Sequence, residues 1–122
     1  MEFLSAQELL GLPDAPAEEI YLPALGGSIK IRTFSKAIKD KIRREAEEED
    51  GSLDQTVWDK GVLLHAIVEP KLTEEQVEEF YAKMPWRNME DILERFYILS
   101  GMTPQGMVGQ QAVEEAEKNF RP

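Results

Sequence analysis

The sequence predicts an α+β fold: a single, mostly helical domain of five or six helices with one antiparallel β-hairpin near the N-terminus. Three observations carry this prediction. Apolar residues recur at helical spacing along most of the 122 residues. Helix starts are marked by side chains that cap backbone N–H groups. One region, Glu19 to Arg32, alternates apolar and polar residues around a Pro23 and Gly26-Gly27 turn, the pattern of a strand pair.

The elements follow in order. Ser5-Ala6-Gln7-Glu8 is a capping box with Leu4 and Leu9 at staple spacing, and Gly11 and Pro13 keep its helix short. In the hairpin, Ile20 and Leu22 share a face, as do Ile29 and Ile31. The short connection requires antiparallel pairing. A lone hairpin is marginal in water, so it must lie on helices. Its two open edges, partly guarded by Lys30 and Arg32, give the expectation of weak self-association through strand or helix contacts.

A charged helix is expected from Ser35 to about Glu48, with Ile38, Ile42 and Ala46 on one face. Ser52-Leu53-Asp54-Gln55 reads as another capping box, opening a buried central helix over Gln55–Val68 that Pro70 ends. Thr73-Glu74-Glu75-Gln76 caps a short helix to about Ala82, with Leu72 and Val77 as its staple. Trp86 to Ser100 carries the stripe Met89, Ile92, Leu93, Phe96 and Leu99, closed by Gly101. Thr103-Pro104 starts a last helical segment, with 104–122 expected to be loosely held because Gly106 and Gly109 each cost about 1 kcal/mol of helix propensity.

The helix after Ser35 is electrically reversed. Lys36, Lys39, Lys41, Arg43 and Arg44 precede Glu45, Glu47, Glu48, Glu49 and Asp50. The macrodipole favours the opposite order. The pairs Lys41–Glu45, Arg43–Glu47 and Arg44–Glu48 run in the weaker orientation. Packing by Ile38 and Ile42 must hold this helix, and its acidic end is expected to fray before Gly51.

Composition narrows the function. There is no cysteine, which excludes a disulfide framework and a thiolate zinc site. No apolar run approaches the ~20 residues of a membrane span. Met1 to Leu12 carries Glu2 and Glu8 and no basic residue, unlike a signal peptide. The net charge of −10 repels nucleic acid and anionic lipid. The expectation is a cytoplasmic protein without nucleic-acid or membrane partners.

No residue pattern announces catalysis, a metal or a cofactor. His65 is the single histidine and falls within the central helix, where a core or boundary role is ordinary. If Gly51 were the glycine of a calcium loop, positions 1 and 12 would fall on Ala46 and Val57, and neither can ligate. Glu74, Glu75, Glu78 and Glu79 sit in the first turns of a helix, where the dipole favours acids. Gly101-x4-Gly106 lacks the Lys-Ser/Thr of a phosphate loop. The adaptable residues Met84, Trp86 and Met89, with Met102 and Met107 further on, suit a partner contact, though such a stripe more often fills core. Ile38 and Ile42 of the reversed helix are further contact candidates.

The order of elements resembles the phage tail assembly chaperones, in particular the XkdN-like branch of phages and prophages of Gram-positive bacteria. The resemblance spans roughly Leu4 to Gly109. It rests on "EEIYLPALGGSIKIRTFS" with its Ile20-Tyr21-Leu22-Pro23…Gly26-Gly27-Ser28-Ile29-Lys30-Ile31-Arg32 strand pair, on "AIVEPKLTEEQVEEF", and on the helix closing "LSGMT". It implies a non-enzymatic protein that binds the tape measure protein, keeps its long apolar helices soluble, helps tail tube protein assemble around it, and is absent from the mature virion. Alternatives on the same sequence are a structural tail-completion or connector protein, or a small acidic inhibitor or DNA mimic.

Overall fold

The computed structural model describes residues 2–12 and 15–101. The expected segment 104–122, its Thr103-Pro104 start, Met102 and Met107 lie outside the described residues. The chain runs α1 (Ala6–Leu10), β1 (Ala17–Leu22), β2 (Gly27–Arg32), α2 (Lys36–Ala46), α3 (Gln55–Ala66), β3 (Ile67–Glu69), α4 (Glu74–Lys83) and α5 (Trp86–Leu99). The α+β prediction holds: the described residues form five helices and an antiparallel sheet with the hairpin N-terminal.

The hairpin pairs Ile20 with Ile29 and Glu18 with Ile31. Its apolar face meets α5, and Glu18 is ion-paired to Arg95 of that helix. The sheet has a third strand that the sequence pattern does not announce, and the order is β1-β2-β3. The apolar run of α3 continues through Ile67 and Val68, so periodicity alone carries the helix to Val68. Both residues are β-branched and sit just before Glu69-Pro70, where helical backbone is disfavoured. Ile67 accordingly turns extended and pairs antiparallel with Ile31. β2 is thus the central strand. Lys30 faces Glu69 of β3 at 3.8 Å instead of guarding a free edge.

Helix ends also refine the prediction. The Ser5/Glu8 and Thr73/Gln76 capping boxes are both present. The third expected box is not: Asp54 caps α3, accepting from the N–H of Thr56 and Val57, while Ser52 donates to Asp50. The reversed helix stops at Ala46 without the expected fraying helical end. Its acidic residues form a turn in which Glu47 bridges Leu53 and the Asp54 N–H reaches the Ala46 carbonyl at 2.8 Å. None of the three expected i,i+4 ion pairs forms; Lys36 binds Asp40 at 2.9 Å instead.

The core gathers Ile31, Val62, Leu63, Ala66, Ile67, Val77, Ile92 and Phe96 between sheet and helices. Helix α2 joins through Ile42 and Ala46, both buried. Its contact with α3 depends on Gly61, where an added Cβ would lie 2.6 Å from Cγ2 of Ile42. Gly61→Ala therefore sets a gain of about 1 kcal/mol in helix propensity against overpacking of about 1–3 kcal/mol. Ile42 is β-branched and buried, so it yields little. Urea unfolding should show Gly61→Ala to be destabilised, and Ile42→Ala, which removes Cγ1 and Cγ2, should cost less in that chain than in the wild type. A stabilised Gly61→Ala would mean that the helices separate freely.

Candidate partner-binding surface

The five contact candidates do not share one fate. Trp86 opens α5 and is 80% exposed. Its indole N–H donates to Glu90 one turn along, which lays the ring on the surface of its own helix. Met84, the C-cap of α4, is half-buried against the core. Met89 is 6% exposed and belongs to the core with Ile92, Leu93 and Phe96. Ile42 is buried under α3, and Ile38 one turn earlier is half-buried. Met89 and Ile42 are therefore core side chains in the folded protein, beyond the reach of a partner that docks on its surface. The reason is positional: each faces the interior on an amphipathic helix, so burial wins over the adaptability of the side chain.

Met84 meets something the periodicity does not show, while Trp86, two residues on, does not line it. The hairpin tip brings Ala24 and Leu25 against the α4–α5 corner, where Phe80, Met84 and Pro85 line a largely apolar groove of about 320 Å³. Leu25 is exposed. A signal for it exists in the sequence: a large apolar residue between Pro23 and Gly26-Gly27 has no strand face on which to be buried. Around the groove, Lys83 and Glu79 neutralise each other at 2.6 Å, and the contact holds the Glu79 carboxyl below its ordinary range. The corner thus offers apolar surface with a charge-balanced rim. Ile38 and Ile42 belong to a different region, the α2–α3 packing.

The titratable groups of the described residues do not converge on one site. Among the described residues, no group of three or more His, Asp or Glu side chains is placed to hold a metal ion. His65 stands edge-on to Phe34 at 6.3 Å. Burial, then the charges of Lys41 and Lys71, push its pKa below 6.5. Asp59 is moved up by burial, and Tyr97, which accepts from the Trp58 indole N–H at 2.8 Å, is also moved up by burial. These are structural environments at the edge of the core.

No helix of the described residues is long and apolar enough to cross a membrane. Comparison with protein families, with characterised proteins and with solved structures finds no match.

Two outcomes test this placement. Met89→Ala should lower stability by about 2–5 kcal/mol, as buried Met truncations do, whereas Trp86→Ala should leave the melting temperature nearly unchanged; similar losses for both would make Trp86 core. The second concerns pH. The folded-state pKa of His65 lies below its unfolded value, so the unfolded chain binds more protons in that window and stability rises with pH. The contribution is complete above pH 6.5 and is lost as pH falls through the folded pKa. Asp59, raised by burial, acts in the opposite sense at lower pH. His65→Gln should flatten unfolding free energy between pH 7 and about 5; an unchanged slope would assign it to other groups.

Proposed function

We propose that this chain is a non-catalytic tail assembly chaperone of a phage or prophage. It holds an apolar or amphipathic helix of the tape measure protein in solution in the host cytoplasm, assists tail tube assembly, and leaves before the virion is complete. The observation that carries the reading is the corner at Leu25, Phe80, Met84 and Pro85, next to the 80% exposed Trp86. A half-buried methionine in an apolar groove and an exposed tryptophan at the start of the adjoining helix suit a client helix whose side chains vary along its length. A net charge of −10 keeps a complex with such a client dispersed. The sequence resemblance supplies the identity of the client.

The test is co-expression with a tape measure protein from the same genome. The two should co-purify, and the client should stay soluble only when co-expressed. Leu25→Asp with Trp86→Ala should weaken capture by about 30-fold, the scale of losing one aromatic hot spot of about 2 kcal/mol, with the melting temperature nearly unchanged. Wild-type protein that leaves the client insoluble and unbound contradicts the function. Recovery of the chain in stoichiometric amounts from purified particles would point to a structural tail component instead.

A further inference from the structure

The least explained surface of the molecule is its N-terminal arm. All of residues 2–12 are exposed, including Phe3 at 90%, Leu10 at 82%, and Leu4, Leu9 and Leu12. Yet the arm is locally organised. Ser5 Oγ accepts from the Glu8 N–H at 3.1 Å, and Glu8 Oε1 accepts from the Ser5 N–H at 3.2 Å. Five helical residues are too few to be stable in isolation, and an apolar cluster of this size on a free monomer is unusual. The arm is also uniformly acidic: Glu2 and Glu8 are its only charged side chains, and the sequence has no Lys or Arg before Lys30.

A second unexplained feature complements it. Phe34, Trp58, Phe96 and Tyr97 line a groove of about 230 Å³ whose rim carries Lys36 and Lys39. The rings are mutually fixed: Phe34 and Phe96 stand 4.9 Å apart, Phe96 and Tyr97 5.5 Å, and Trp58 donates to Tyr97. The space exceeds the ~150 Å³ that accepts a benzene ring, so a Leu or Phe side chain fits. The two lysines occupy the first turn of α2, where the macrodipole disfavours cations. Lys39 has no ion-pair partner among the described residues. Lys36 is answered by Asp40 at 2.9 Å, but nothing in the packing of α2 calls for positive charge at Lys39; an acidic apolar segment seated in the groove does.

We propose that the arm Phe3–Leu12 of one copy seats in the Phe34/Trp58/Phe96/Tyr97 groove of a second copy, with Lys39 facing the Glu8 carboxylate, giving an arm-exchanged two-fold dimer. The Pro16 carbonyl accepts from the Thr33 N–H at 3.4 Å, so each arm departs beside the start of its own groove at Phe34. Two copies set groove to groove satisfy both arms at once and close as a two-fold pair. Within one chain the arm stands free of the groove although it is tethered next to it. The other grooves fit the arm less well. The α3–α4 groove carries Glu45, Glu74 and a Lys60–Glu78 pair, so its rim is net acidic and would repel it, and the hairpin-tip corner has a charge-balanced rim. The inference does not rest on the tail-assembly reading.

The absence of cysteine permits a direct test. Ala6→Cys chains and Ser100→Cys chains, both at exposed positions and Ser100 at the groove, are mixed and mildly oxidised. The mixed covalent dimer should outnumber either self-linked product, and excess synthetic peptide of residues 1–12 should suppress it. In light scattering the wild-type chain should be a dimer that weakens with salt, as contacts between exposed charges do. Leu9→Asp with Leu10→Asp, both at exposed positions, should be monomeric and folded, with a melting temperature that, unlike that of the wild type, does not rise with protein concentration. The proposal is overturned if the wild type is monomeric throughout, or if the Asp variant associates like the wild type. It is also overturned if a chain carrying both cysteines closes only on itself, or if the mixed dimer appears only after residues 102–122 are removed, which would make that segment the occupant.

Discussion

Everything in this domain depends on Ile67 leaving the helical path and pairing with Ile31. Both side chains are essentially inaccessible to solvent. A two-stranded hairpin is marginal in water, so β1 and β2 need both a third strand and an apolar backing. The three residues Ile67–Glu69 supply the strand at the end of α3, and α3 carries Val62, Leu63 and Ala66 into the same core. One short segment therefore joins sheet to helices. Helix α5 completes the arrangement with Met89, Ile92, Leu93 and Phe96 against the sheet's apolar face.

Much of this was legible in the sequence, and the failures share a physical cause. Capping boxes at Ser5 and Thr73 form because they are local: three residues decide them. The hairpin register follows from alternation around a fixed turn. Residues whose fate is decided by distant partners were harder to place. Ile67 and Val68 extend an apolar helix by periodicity, and only the vacancy beside β2 makes them a strand. Asp54 displaces Ser52 as cap because the turn through Glu47 and Leu53 pairs backbone that a capping box at Ser52 would leave helical. The acidic end of α2 is drawn into that same turn, so its charges sit in an ordered loop.

The candidate surface shows the same division. A methionine–tryptophan cluster at a helix start is visible in the sequence, but its split is not. Trp86 and Met89 lie three residues apart on one side of α5. Met89 is where the apolar stripe meets the sheet; Trp86 is the first helical residue, where the stripe runs past the edge of the core. The groove beside it needs Leu25 from the hairpin tip, about sixty residues away in sequence, so no local pattern could have joined them. What distinguishes the molecule is the amount of apolar surface left outside a well-packed core: the hairpin tip, Trp86 and the N-terminal arm. In a chain of net charge −10 such surface is tolerated by charge repulsion between copies at large, while specific contacts remain open.

The central claim is that a client docks on preformed surface and leaves the core closed. Amide hydrogen exchange on the free chain and on its complex with a tape measure helix tests it most directly. The account predicts equal, high protection of Leu63, Ile67 and Ile92 in both states, with new protection confined to the hairpin tip and the Phe80–Trp86 corner. Loss of protection in α3 and β3 on binding, with the client instead contacting Met89 and Ile42, would contradict it and show that the domain opens to receive its partner.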